Sequence, residues 1–401
     1  MTAATGPTEA REAAAAPDAF KPPPGHPRFP LFDGLRAIAA LAVLLTHAGN
    51  LSGFSINNTL GGAITERMNV GVSIFFVISG FLLYRPFVAA RFEGRPRPRV
   101  GRYFRRRALR ILPAYWFALT VAALVFNDVV HDVFTGNWWV YYGFLQNTSH
   151  SYIFGGLIVA WSLCVELGFY LVLPLYVLLA ERTTRALDRP SAVFFELSLL
   201  GAFATASVVA RTVMYETNPD TSFSEMLPGT LLWFCLGMGM AVLSASHSRA
   251  AVVRFVERHA GLTWLAAAGV FAIAASAGWP RSFQARHTTG QWLAEHVLFG
   301  IVAALLVAPA VFGASERSVP ARILSLRVVQ WLGLISYGIF LWHVPIGAQI
   351  EGLADEFPTG GFVIYLAALV AASCAAAAFS YYVIERPLLR FKEGRPRRAS
   401  G

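Results

Sequence analysis

The feature that most constrains the fold is a series of apolar stretches, each long enough to cross a bilayer as a helix. Such a helix needs about 20 mostly apolar residues. Ten stretches of this kind lie at 31–51, 70–90, 108–127, 161–180, 193–213, 227–245, 262–279, 292–313, 331–350 and 361–384. Only 14% of the residues are charged, against about 25% in a soluble protein. The sequence therefore predicts an all-α fold, a polytopic membrane bundle of about ten transmembrane helices.

The arginines alternate between the links that join these spans. Residues 91–107, 182–189, 249–258 and 317–327 carry arginine clusters, whereas residues 128–160 and 344–385 contain no Lys or Arg. Positively charged loops stay in the cytoplasm, so the pattern predicts that both termini are cytoplasmic in a bacterial plasma membrane. This topology accounts for the formal net charge of +10, and no nucleic-acid partner is expected.

The segments outside the spans suggest three parts. Residues 1–30 lack the apolar run of a signal peptide and are expected to form a disordered cytoplasmic tail. A transmembrane domain follows at 31–390, and 391–401 form a basic cytoplasmic tail. The aromatic segment 137–146 is too short to span and is expected to be interfacial or re-entrant. No metal-ligand spacing occurs, and no metal site is expected.

Two ionisable residues, Arg36 and His47, lie inside the first apolar span. Eleven positions separate them, which is close to three helical turns, so they share one helix face roughly 16 Å apart along the axis. Ionisable residues within membrane helices are costly and usually functional. The predicted orientation also places Glu166 and His343 in the outer half of the bundle, at the level of His47.

A second set of charged residues is predicted at the cytoplasmic end. Arg107 and Arg110 open the third span, three positions apart on one helix face, and Arg36 and Glu385 are expected at the same level. Each residue also has a structural interpretation. The arginines could serve as topology anchors, Glu166 could be solvated, and both histidines could form polar contacts between helices.

Several common catalytic motifs are absent from the sequence. It contains no phosphate-binding P-loop, no His-Glu-x-x-His pair and no Gly-x-Ser-x-Gly. Other motifs do occur, one after another along the chain. They are Phe32–Ala39 with His47, Gly71–Phe81, Arg107-x-x-Arg110, Trp161-Ser-Leu-x-x-Glu166, Ile335–His343 and Ile384–Pro387. Together they resemble the acyltransferase-3 family of integral membrane acyltransferases, across about residues 31–390. The chain ends soon after the tenth span, so the form without an additional extracytoplasmic domain is expected.

The resemblance implies an O-acyltransferase that moves an acyl group, commonly acetyl, from acyl-coenzyme A to a hydroxyl. The expected acceptor is a carbohydrate or a glycosylated secondary metabolite such as a macrolide. No permanently bound cofactor is expected, and acyl-coenzyme A serves as donor substrate. Arginine suits its phosphates because the planar guanidinium gives two donors at once, so Arg36, Arg107 and Arg110 are the predicted donor-binding residues.

Histidine is a natural general base for an alcohol nucleophile near neutral pH, and His47 is assigned this role. Glu166 and His343 are predicted either to orient its imidazole or to bind the acceptor. Direct transfer and a covalent acyl-histidine both remain open. Two other classes also remain: a proton-coupled secondary transporter using intramembrane His and Glu, and a lipid-binding membrane scaffold whose arginines hold anionic head groups.

Overall fold

The described part of the chain is helical throughout. The computed structural model describes Phe29 and residues 31–389, except 58, 154, 218–223, 282–286, 314–317 and 356–359. Over these residues it contains α-helices, short 3-10 turns and one π-helical turn, and no strand. The predicted tails, 1–30 and 391–401, lie outside the described residues apart from Phe29.

The first nine helices cover the N-terminal half of the chain. They are α1 Leu31–Leu51, α2 Phe54–Asn57, α3 Thr59–Arg67, α4 Val70–Phe92, α5 Val100–Val125, α6 Trp138–Tyr142, α7 His150–Ile153, α8 Ala160–Thr184 and α9 Arg189–Thr217. A 3-10 turn, Gln146–Thr148, follows α6. The aromatic segment predicted to be too short to span is α6, a helix of five residues with exposed Trp138 and Trp139.

The remaining helices complete the bundle. They are α10 Leu227–Ala245, α11 Ala251–Arg258, α12 Ala260–Ser276, α13 Thr289–Phe312, α14 Val319–Leu324, α15 Arg327–Leu334, α16 Ser336–Gln349, α17 Gly361–Ser380 and α18 Arg386–Leu389. A 3-10 turn, Glu351–Ala354, precedes α17, and the π-helical turn Tyr381–Glu385 follows it.

The residues that the structure describes contain eight to ten candidate spans where ten were predicted. Within the described ranges, eight helices are long and apolar enough to cross a membrane, or ten if each of two bent pairs is counted as one span. The pairs are α11 with α12, bent by 97°, and α15 with α16, bent by 70°. The fold class is therefore a polytopic helical membrane bundle, and the side on which each terminus lies stays a prediction from the arginine pattern.

In the structure, the ninth predicted span is not one continuous helix. It breaks at Ile335, between α15 and α16, so Trp331 and His343 lie on two differently directed segments. The hydroxyl of Ser336 donates a 2.8 Å hydrogen bond to the Gly333 carbonyl at the break. A side-chain donor thus satisfies a backbone acceptor where the helix is interrupted.

Helix α1, which carries Arg36 and His47, packs against α4, α15 and α16. Glycines on its neighbours allow this close approach: a Cβ at Gly71 of α4 would meet the Ala39 carbonyl oxygen at 2.3 Å, and one at Gly333 of α15 would meet the Asp33 carbonyl oxygen at 1.9 Å. Only a residue without a Cβ fits at these two contacts. They fix the depth and rotation of α1, which carries both Arg36 and His47.

Candidate active site

His47 and His343 meet in the middle of the bundle, from α1 and α16. The His343 ring is fully buried, whereas His47 is partly exposed. Nε2 of His343 lies 3.3 Å from Nδ1 of His47, and the ring centroids are 4.9 Å apart at 72°. Two residues that are 296 positions apart in the sequence therefore form one side-chain pair.

The carbonyl groups around this pair fix the tautomers. Nδ1 of His343 lies 3.0 Å from the Ile339 carbonyl, so this nitrogen carries the proton and Nε2 holds a lone pair. Nδ1 of His47 lies 2.9 Å from the Val43 carbonyl and also faces the Nε2 lone pair of His343. Both neighbours are acceptors, so Nδ1 of His47 is the donor. The hydrogen-bond network therefore assigns the lone pair of His47 to Nε2, the nitrogen that can accept a proton.

A cavity lies beside the histidine pair, with Phe340 in its lining three positions before His343. Arg36 of α1, Arg110 of α5 and Glu166 of α8 all line it, together with residues of α4 and α16. Arg110, Arg107 and Glu166 are among the charged groups that act on Arg36. The structure thus brings Arg36, Arg110 and Glu166 to one cavity, although the sequence analysis placed the arginines and Glu166 at opposite levels of the bundle.

Glu166 is held in place by two hydroxyl donors. Ser79 of α4 donates to its Oε1 at 2.8 Å, and Tyr170, one helical turn further along α8, donates to the same oxygen at 2.6 Å. In the described part of the chain these are its hydrogen-bond partners, and neither is a histidine. A role for Glu166 in orienting the His47 imidazole therefore stays a prediction.

Arg107 lies just behind the cavity. Its guanidinium carbon is 5.9 Å from the centroid of the Tyr170 ring, and its Nε is buried with no hydrogen-bond partner among the described residues. Arg36, by contrast, forms a 3.4 Å ion pair with Asp33. The three arginines therefore keep donors that are not fully used by carboxylates of the bundle, and phosphate oxygens are good acceptors for such donors.

Phe340 lies next to both the cavity and the histidine pair. It lines the cavity, and its ring centroid lies 6.0 Å from that of His343. Phe75, which also lines the cavity, packs edge-on against Phe340 at 6.2 Å. The predicted site residues thus form two groups. The arginines and Glu166 lie at the cavity, and the histidine pair lies next to Phe340.

The polar partners of Glu166 were not identified from the sequence. Ser79 lies in the segment Gly71–Phe81, and a hydroxyl in an otherwise apolar span was the available signal. Tyr170 is four positions after Glu166, the spacing at which helical side chains meet. Tyr337, next to the break at Ile335, also lines the cavity and donates to the Ile111 carbonyl at 3.0 Å.

No metal cluster is formed by the described residues, since no three His, Cys, Asp or Glu side chains there could hold one ion. Glu385, predicted at the cytoplasmic level, is buried in the π-helical turn. It and Arg110 both act electrostatically on Tyr381, so the turn lies close to the arginine end of the cavity.

Comparison with known proteins identifies the family of the chain. The family described as "Acyltransferase domain" (Acyl_transf_3) matches residues 30–381. The chain is 28% identical over 392 residues to the putative peptidoglycan O-acetyltransferase YrhL of Bacillus subtilis, covering 90% of this chain and 55% of that protein. It is 28% identical over 342 residues to the peptidoglycan O-acetyltransferase OatA of Listeria monocytogenes, covering 79% and 49%.

A third relative comes from an actinobacterium. The acyltransferase MdmB of Streptomyces mycarofaciens is 28% identical over 239 residues, which cover 55% of this chain and 59% of that protein. The chain spans about half the length of the first two relatives. No solved structure matches the chain. Because the family match covers most of the sequence and the described residues contain eight to ten candidate membrane-spanning helices, the chain is a multi-pass membrane protein that belongs to the acyltransferase-3 family.

Proposed function

We propose that this chain transfers an acetyl or other short acyl group from acyl-coenzyme A to a hydroxyl of a carbohydrate or of a glycosylated secondary metabolite such as a macrolide. The observation that carries the proposal is the tautomer of His47, whose hydrogen bonds direct its basic nitrogen away from Val43 and His343. A base held in this way is what an alcohol nucleophile requires. The names of the relatives support acyl transfer as the reaction class.

The donor is proposed to bind at the arginine end of the cavity. Coenzyme A carries several phosphate charges, and Arg36 and Arg110 line the same space. Guanidinium groups hold phosphate oxygens in pairs, and Arg107 adds a further donor that has no partner at its Nε among the described residues. The long pantetheine arm would then extend through the cavity toward Phe340, next to the histidine pair.

The chemical step is proposed to be direct transfer. The acceptor oxygen forms a bond to the thioester carbonyl carbon while its proton moves to Nε2 of His47. The carbon–sulfur bond then breaks, and the leaving thiolate takes that proton, so an ester and free coenzyme A result. His343 acts through His47: the lone pair on its Nε2 accepts from Nδ1 of His47 at 3.3 Å and stabilises the imidazolium that forms.

The acceptor class rests on two considerations. Two relatives carry the printed name of peptidoglycan O-acetyltransferases, which act on a wall carbohydrate, and a third is an acyltransferase from Streptomyces. Sugar hydroxyls are thus the proposed acceptors, on a cell-surface polymer or on a glycosylated metabolite.

The test is thiol release from acetyl-coenzyme A by the purified protein in detergent, with a panel of hydroxylated acceptors. Wild type is expected to release thiol in an acceptor-dependent way, and His47→Ala to lose about 10²–10⁴-fold of that rate. His131→Ala is the matched control, because this histidine is half exposed and, among the described residues, its ring pairs with its neighbour Asp132 alone. Normal rates in His47→Ala would remove the proposed base. Acyl labelling of the protein without acceptor would replace direct transfer by an acyl-histidine.

A proton-coupled secondary transporter is the alternative function. The break between α15 and α16, bent by 70°, favours it because discontinuous helices line the sites of many transporters. Substrate flux into proteoliposomes that does not depend on acyl-coenzyme A, together with no thiol release, would support the transporter.

A further inference from the structure

A second cavity lies in a part of the bundle that the proposed chemistry does not use. It is lined by residues of α4, α8, α9, α10 and α13 and by residues that precede α4 and α10. Its polar lining consists of Asn69, Arg211, Glu225, Trp292, Glu295 and His296. The links that flank these positions are the ones the arginine pattern places outside the cell. The cavity therefore lies toward the predicted extracytoplasmic end.

The charges around this cavity cancel in pairs. Arg211 is 3.1 Å from Glu225, and Arg67 is 2.9 Å from Glu295, and the arginine side chains of both pairs are almost fully buried. A buried charge needs such a partner. A ligand in this space would therefore meet polar groups of both signs, each already paired with an opposite charge, which favours an uncharged, hydrogen-bonding molecule over an ion.

Several buried polar atoms of the lining have no partner among the described residues. They include both ring nitrogens of His296, which is 2% exposed, Nε1 of Trp292, Oδ1 of Asn69 and Nε of Arg211. Leaving one such group unsatisfied destabilises a fold, because it loses its hydrogen bonds to water without gaining others. A cluster of donors and acceptors around one cavity is the arrangement expected where a ligand with several hydroxyls supplies the missing partners.

Aromatic rings give the same cavity flat, rigid faces. Trp292 stacks on Tyr215 at 5.3 Å, with the Arg211 guanidinium 4.4 Å from its ring. Trp233 stacks on His296 at 4.2 Å. A hydroxylated ring has an apolar C–H face and a polar rim, so it matches a lining that combines indole faces with single hydrogen-bonding groups.

The two cavities share a wall. Val72 of α4 lines both, and Trp161, which lines the second, is followed by Ser162, which lines the first. Phe76 also lines the first cavity, with its ring 5.9 Å from that of Trp233. A ligand in the second cavity would thus lie one side chain away from the space proposed for the acyl donor.

We propose that this second cavity is the acceptor site, and that it takes a neutral polyhydroxylated ring of the sugar type. This inference rests on the proposed acyl transfer for its role, but binding of the ring is a separate property. Donor and acceptor would then enter from opposite ends of the bundle.

Two substitutions test the site. His296→Phe keeps a ring on Trp233 and deletes two nitrogens that have no partner among the described residues. Trp292→Phe keeps a six-membered ring but removes the pyrrole part of the indole together with its unpartnered N–H, so its effect is compared with that of the same substitution outside the cavity. The matched control is Trp264→Phe on α12, because the Trp264 N–H donates to the Leu306 carbonyl at 3.1 Å and lies outside this cavity.

The first measurement is binding of methyl glycosides to the purified protein by tryptophan fluorescence, with methoxycyclohexane as the apolar probe of similar size. Each cavity variant is expected to weaken glycoside binding, and to raise the acceptor KM in thiol release, about 2- to 12-fold for each lost hydrogen bond. The KM for acetyl-coenzyme A should not change. The thermal midpoint of His296→Phe should stay equal or rise, because unpartnered polar atoms are removed. Trp292→Phe and the control should both lower the midpoint, because each loses part of a packed indole, and the control should keep both KM values.

The outcomes separate this proposal from the proposed function. Glycoside binding that both variants weaken, with no acyl transfer in wild type, would uphold the site and overturn the enzyme. Acyl transfer with unchanged glycoside binding and unchanged acceptor KM in both variants would uphold the enzyme and overturn the site. Equal binding of methoxycyclohexane and the glycosides would also overturn it, because the polar lining would then contribute nothing.

Discussion

His343 provides the sharpest test of how the histidine pair works, because asparagine and glutamine each replace a different nitrogen of its ring. Asparagine places its amide near the former Nδ1, where it can still bond to the Ile339 carbonyl, but it leaves nothing at Nε2. Glutamine reaches the position of Nε2 and can present a carbonyl oxygen to Nδ1 of His47. The two variants therefore separate the loss of the His47 contact from the loss of the buried histidine itself.

The expected magnitude follows from the geometry. The contact between the two imidazoles is 3.3 Å long, at the long end of the hydrogen-bond range, and Nδ1 of His47 keeps its shorter 2.9 Å contact with the Val43 carbonyl. Losing the His343 acceptor should therefore remove about 0.5–1.5 kcal/mol. This corresponds to a roughly 2- to 12-fold lower kcat for His343→Asn, with an unchanged KM for acetyl-coenzyme A.

The assay is steady-state thiol release by wild type, His343→Asn and His343→Gln, each first shown to be folded by its thermal midpoint. His343→Gln is expected to stay within about twofold of wild type, since it restores an acceptor. A loss in His343→Asn as large as the loss in His47→Ala would refute the reasoning, because His343 would then take part in the reaction directly. Equal losses in both His343 variants would show that the contact to His47 has no positioning role.

Three further predictions follow from contacts elsewhere in the bundle. Arg110→Gln should weaken acyl-coenzyme A binding about 10- to 100-fold, measured by equilibrium binding, because a charge-assisted phosphate contact is lost; unchanged affinity would leave Arg110 as a topology anchor. Gly333→Ala should lower the thermal midpoint, since its Cβ would lie 1.9 Å from a backbone oxygen, whereas Gly101→Ala, with open space around it, should not. Glu196→Leu should destabilise the protein by about 3–5 kcal/mol in denaturant titration, because it leaves the partly buried Arg91 without its carboxylate; a neutral effect would show that the pair is not needed.

The positions of the helical spans along the chain could be predicted from the sequence, because the length of an apolar stretch is a local property. A stretch of about 20 apolar residues satisfies its own backbone only as a helix in a bilayer, so each span was found without knowledge of its neighbours. The break at Ile335 could not be found in this way. It depends on the close contact of Gly333 with α1 and on the Ser336 hydroxyl.

The family could also be identified from the sequence, since its motifs lie in order along the chain. What the motifs did not provide was the grouping of their side chains. The helical repeat placed Arg36 and His47 on one face, but whether Glu166 joins the arginine or the histidine depends on the rotation and tilt of α8 against α4. Those are set by packing, and the structure joins Glu166 to Ser79, Tyr170 and the arginine cavity.

The sequence by itself thus determined that this is a helical membrane protein of the acyltransferase-3 family, and which ionisable residues lie inside its spans. Only the tertiary structure decided that His47 meets His343, that Arg36, Arg110 and Glu166 line one cavity, and that a second, polar cavity lies next to it. The physical reason is that burial and helix formation follow from neighbours along the chain. Contacts between residues hundreds of positions apart depend on how closely whole helices pack.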